Sequence, residues 1–146
     1  EILELPVQEV DFVLPYRRLF EGKSEEVISI LQYVVQTCHA RGVLVKVILE
    51  SGIFDNKAIL YTTAMMVLEC GADFLKTSTG KVNIGARLED VSVFCEAIKD
   101  YGDLTRGIKV SGGVRSVEDA LKFYDLVARE MGERCRYLLG GDALLG

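Results

Sequence analysis

The sequence predicts an α/β protein, a parallel sheet whose strands are joined by helical crossovers, and two observations predict it. Five short apolar runs alternate with four stretches of helical periodicity. The runs themselves, such as VLVKVILE at 43–50, are almost continuously apolar, as strands covered on both faces must be. The first run, 9–14, is followed by a helical stretch at 24–40, where Ser24 stands ahead of Glu25 and Glu26 as a helix start. The second, 43–49, leads to a helix at 56–70 with Asp55 in front of it. The third, 72–77, leads to 88–101. The fourth, 106–111, leads to 116–131, where Ser116 with Asp119 three residues on has the form of a capping box. The fifth run, 136–140, is the last. Gly42, Gly71 and Gly102 follow the first three helices as stops.

An open doubly wound sheet and a closed (β/α)8 barrel both fit this alternation. The strand interiors favour the barrel. On alternating positions Asp11, Lys46, Lys76 and Lys109 project to one side of their strands, and a barrel gathers such residues at its centre where an open sheet would scatter them. A closed barrel typically needs about 250 residues, whereas 146 residues hold about five of eight units. The remaining strands then belong to residues outside this sequence or come from a partner chain. Residues 1–146 form a single domain, with no linker or low-complexity tract.

Composition excludes several function classes. About half the residues are apolar and 27% are charged, as in a globular protein. A net charge of -5 argues against capture of nucleic acid or acidic membranes, and no apolar run reaches bilayer length. Cys38, Cys70, Cys95 and Cys135 are widely spaced in apolar or helical contexts and are expected as reduced core thiols. With no secretory pattern at the start, they point to the cytoplasm. His39 is the single histidine, which disfavours a histidine-clustered metal site and a Ser-His or Cys-His pair.

The chemistry-bearing residues lie at strand ends. FLKTSTGK at 74–81 sets Lys76 where an apolar strand stops, and Lys109 holds the corresponding point of the next strand in GIKVSGG. Adjacent parallel strands run about 4.8 Å apart, so the two amines are expected to be close neighbours. Partial burial and a neighbouring cation both favour a neutral amine, which can attack a carbonyl and form a Schiff base. Alternatively each lysine pairs with an acid, Asp11, Glu50 or Asp73 being available. Asp11, in EVDFVLPYR, is the carboxylate aimed inward from the first strand, either relaying protons or simply pairing with Lys46 or Lys109. SGGVRSVED, with Gly112, Gly113 and Arg115, and GGDALLG, with Gly140 and Gly141, supply glycine-rich loops suited to phosphate. Lys81 adds positive charge at the same rim. Thr77, Ser78 and Thr79 either orient the site or satisfy the turn.

In combination, EVDFVLPYR, VKVILESG, GADFLKTSTGK and IKVSGGVRSVEDA closely resemble the 2-deoxyribose-5-phosphate aldolase family over nearly the whole chain. The resemblance implies a TIM barrel whose fourth to eighth strands are present here. It also implies reversible cleavage of 2-deoxyribose 5-phosphate to glyceraldehyde 3-phosphate and acetaldehyde through a lysine Schiff base, without metal or other cofactor. By position Lys76 is then the Schiff-base lysine, Lys109 the second lysine that activates it and Asp11 the proton-relay acid. Gly112, Gly113, Arg115 and Lys81, with Gly140 and Gly141, fall in the phosphate-binding segments. Where the family commonly has serines after the last strand, this chain has Asp142, whose charge would repel a phosphate. The competing expectations are a Schiff-base aldolase for a different aldehyde, phosphorylated or not, and a catalytically silent fragment or subunit. The expected partners are a phosphorylated sugar or aldehyde substrate and, for assembly, a second copy in a homodimer.

Overall fold

The computed structural model describes residues 8–132 and 135–139. The expected fifth loop, with Gly140, Gly141 and Asp142, lies outside them. Five strands form one parallel sheet: β1 (Glu9–Val13), β2 (Leu44–Ile48), β3 (Phe74–Lys76), β4 (Gly107–Val110) and β5 (Tyr137–Leu139). Between them run α1 (Tyr16–Phe20), α2 (Ser24–His39), α3 (Lys57–Glu69), α4 (Leu88–Tyr101) and α5 (Val117–Met131).

Strand order in the sheet equals chain order, β1-β2-β3-β4-β5. Right-handed crossovers that always step in the same direction leave every helix on the same face. A doubly wound sheet reverses its order part-way and puts helices on both. Neighbouring helices accordingly pack in a row, α2 on α3, α3 on α4 and α4 on α5. This is the wall of a (β/α)8 barrel, five consecutive units of it.

The core fills the space between sheet and helices, with Val45, Val47, Leu75, Ile108 and Val110 from the strands meeting Leu31, Val35, Leu60, Ala64, Phe94 and Ile98 from the helices. Strand side chains alternate, so the residues between these turn to the other, inner face. Register aligns Asp11 with Lys46, Lys46 with Phe74, and Phe74 with Gly107. The next row aligns Ile48 with Lys76 and Lys76 with Lys109. Gly107 is required in the first row, because a Cβ there would stand 2.2 Å from the Phe74 ring and 2.8 Å from the Arg136 carbonyl oxygen.

Two helix starts differ from expectation. Ser24 is the first residue inside α2, whose cap is Lys23 with no side-chain bond. The cap of α3 is Asn56 rather than Asp55; its side chain accepts from the amides of Ala58 at 2.8 Å and Ile59 at 3.4 Å. Ser116 does cap α5, accepting from the Asp119 amide at 3.0 Å. The short α1 has no counterpart in the periodicity; Phe20 packs edge-on against Phe54, with ring centroids 5.2 Å apart, so tertiary contact holds it.

The amino-terminal ends of the strands are clamped by Asp73. One carboxylate oxygen accepts from His39 Nε2 at 2.7 Å and the Val45 amide at 2.8 Å, and the other from Arg106 at 3.2 Å. Cys38, Cys70, Cys95 and Cys135 are free and buried. Among the described residues no helix is long and apolar enough to cross a membrane.

Candidate active site

Lys76 closes β3 on the inner face, and its Nζ donates to Asp11 Oδ2 at 2.6 Å. Asp11 stands two strands away on β1, so this bond spans β2. From β2, Lys46 donates to the other Asp11 oxygen at 3.4 Å and pairs with Glu9 at 2.7 Å. Lys46 also lies 5.9 Å from the centre of the Phe74 ring. The two lysine side chains are 14% and 7% exposed, whereas Asp11 is 39% exposed. The carboxylate therefore faces the open side with two cations behind it. Burial pushes the Asp11 carboxyl up, but the hydrogen bond and charge of Lys76, and then the charge and hydrogen bond of Lys46, outweigh it and hold the group below the ordinary carboxylate value.

The side chain of Lys109, register partner of Lys76, makes no hydrogen bond or ion pair among the described residues. Of the acids available to the lysines, only Asp11 meets Lys76. Asp73 serves the clamp at the far end, and Glu50 turns to the rim. The inner face thus joins an amine, a hydrogen-bonded carboxylate able to accept a proton, and a second amine in the same row.

The loops after β2, β3 and β4 form the rim above this face and are stitched to one another. The Ser51 amide donates to the Thr77 carbonyl at 2.8 Å. Thr77 Oγ1 donates to the Ser111 carbonyl at 2.8 Å and accepts from the Ser111 amide at 3.0 Å. Ser111 Oγ donates to the Ser78 carbonyl at 2.7 Å. Of the three polar residues after Lys76, Thr77 and Thr79 satisfy the loops, while Ser78 Oγ is buried with no partner among the described residues. Gly112 and Gly113 have φ of 80° and 76°, a conformation that favours glycine, and a Cβ on Gly112 would approach Ser78 Cβ to 3.1 Å. The side chains of Lys81, after β3, and Arg115, after β4, have no hydrogen bond or ion pair among the described residues. Both cations are therefore available to a ligand at the rim.

Reading the sequence placed Lys46 on the inner face and offered it as a partner of Asp11, a pairing the structure shows, and offered Glu50 as a partner for the lysines, which it is not; Glu9 had no sequence signal. The inward position of Lys46 was legible in VKVILE, but its sharing of Asp11 with Lys76 depends on partners 35 or more positions apart in the chain.

A family model described as DeoC/LacD family aldolase matches residues 1–135. This chain belongs to that aldolase family. Among solved structures, the DeoC/LacD chain is similar to the tetrameric deoxyribose phosphate aldolase of Aeropyrum pernix, with 29% identity and TM-score 0.75 over 99% of this chain and 55% of that one. It also resembles a Coccidioides immitis protein provisionally named a deoxyribose-phosphate aldolase, with 28% identity and TM-score 0.80 over 96% and 51%. A third is QR15, an aldolase, with 28% identity and TM-score 0.73 over 93% and 55%. The family chain described here thus spans just over half the length of these proteins.

Proposed function

We propose that this chain carries the catalytic half of a class I aldolase that reversibly cleaves 2-deoxyribose 5-phosphate. The observation that supports it best is Lys76 at the end of β3, hydrogen-bonded to Asp11 and aligned with Lys109. The Lys76 amine attacks the aldehyde carbon of the open-chain sugar, and loss of water leaves a protonated imine. Removal of the proton from the C3 hydroxyl breaks the C2–C3 bond and releases glyceraldehyde 3-phosphate, the electron pair passing into the imine to give an enamine. Protonation of that enamine and hydrolysis release acetaldehyde and restore the amine. Asp11 passes these protons through water, and Lys109, aligned with Lys76 on the next strand, is the second amine of the site. Gly112, Gly113, Lys81 and Arg115, with Gly140 and Gly141, receive the phosphate.

On this reading residues 1–146 supply the last five of eight β/α units, and the first three come from further residues or a partner chain. A cytoplasmic setting suits the four buried thiols, and assembly of copies is in keeping with the tetrameric relative. Release of acetaldehyde from 2-deoxyribose 5-phosphate by the complete protein tests the proposal. Lys76→Leu should abolish it, and Lys109→Leu should slow it by at least about tenfold. Wild-type rates from Lys76→Leu would overturn the assignment.

A further inference from the structure

We propose that Glu50 is a positioning residue, whose buried carboxylate holds the turn from Thr79 to Lys81 in the geometry that recognises the phosphate end of the substrate. This rests on the aldolase reading for the identity of that substrate. Glu50 follows β2 at the rim, is 2% exposed, and makes no ion pair among the described residues. It is also the one non-glycine residue among them with a positive φ, 56°. A charged group buried without a cation, on a backbone conformation that L residues avoid, is doubly unfavourable and persists where the surroundings over-determine it.

What it holds is specific. Glu50 Oε1 accepts from the Thr79 amide at 3.1 Å, and Oε2 accepts from Thr79 Oγ1 at 2.7 Å. Thr79 Oγ1 in turn accepts from the Lys81 amide at 3.1 Å. A hydroxyl has one proton. Since the Lys81 amide can only donate, that proton must go to Glu50, and both carboxylate oxygens are committed as acceptors. The preceding backbone reinforces the alignment, with the Leu49 amide on the Lys76 carbonyl at 3.0 Å and the Ser51 amide on the Thr77 carbonyl at 2.8 Å. Residues 49–51 thus brace the segment that runs from the candidate Schiff-base lysine to Lys81, without touching the inner-face amines. A glutamine at 50 keeps the shape but replaces one acceptor by a donor, which frees the Thr79 hydroxyl proton and loosens the turn.

The test uses the complete protein with Glu50→Gln, Thr79→Val, Thr79→Ser and the Glu50→Gln/Thr79→Val double variant. It compares 2-deoxyribose 5-phosphate with 2-deoxyribose, and titrates inorganic phosphate by calorimetry. Loss of one charge-assisted hydrogen bond predicts that Glu50→Gln and Thr79→Val each raise KM for the phosphorylated sugar, and Kd for phosphate, by about tenfold. kcat/KM for the unphosphorylated sugar should stay within about twofold, Thr79→Ser should resemble wild type, and the double variant should be no worse than either single one. Equal losses on both sugars, or unchanged phosphate binding, would overturn the role. If the wild type cleaves neither sugar, the aldolase reading falls and the phosphate titration alone decides: weakening in Glu50→Gln supports the positioning role, and equal or absent binding in both proteins overturns it.

Discussion

Asp11 divides its two oxygens between Lys76 and Lys46, and that division sets the chemistry of the inner face. Its position was legible, because side chains alternate along a strand and the acid in EVDFV falls on the inner parity with Lys46, Lys76 and Lys109. Its choice of partner was not, since Lys46, Lys109 and Lys76 all satisfy the same parity and only three-dimensional reach selects among them. The pairing carries a pH signature. The Asp11 carboxyl lies below its ordinary value of 3.8, so its contribution to stability is fully present above that value and is lost as pH falls through the lower, folded value. Thermal midpoints measured from pH 7 down to pH 2 should fall less steeply below about pH 4 in Asp11→Asn than in wild type. Identical acid limbs would mean that the Asp11 ion pair does not form in solution.

Helices and strands followed their sequence signals where those signals were local. Ser116 caps α5 through a residue three positions on, and the apolar runs became strands within one or two residues of expectation. Signals failed where the deciding contact was distant. α1 is held by Phe20 against Phe54, and Asp90 is completely buried because Lys57 reaches it from α3 at 2.5 Å while Arg87 donates to it at 2.8 Å. At α3, Asp55 and Asn56 are both good caps by residue type, and the backbone chose Asn56. Asn56→Ala should therefore lower stability by about 1 kcal/mol in urea unfolding, with Asp55→Ala nearly neutral. The reverse order would return the cap to Asp55.

Across the whole molecule, sequential strand order and one-sided helices turn five local units into one barrel wall with a common inner face. The number of units follows from chain length and the spacing of apolar runs, so it was legible. The stitching of rim loops through Glu50, Thr77, Thr79 and Ser111 was not, because it depends on the curvature that brings three loops together. That architecture exists, on our reading, to present one reactive amine beside an acid and a second amine. The most direct measurement is to incubate the complete protein with acetaldehyde, reduce with borohydride and map the modified peptide by mass spectrometry. The expected result is an ethyl adduct of about 28 Da on Lys76. A label on Lys109 or Lys46 instead, or none on folded protein, would contradict it.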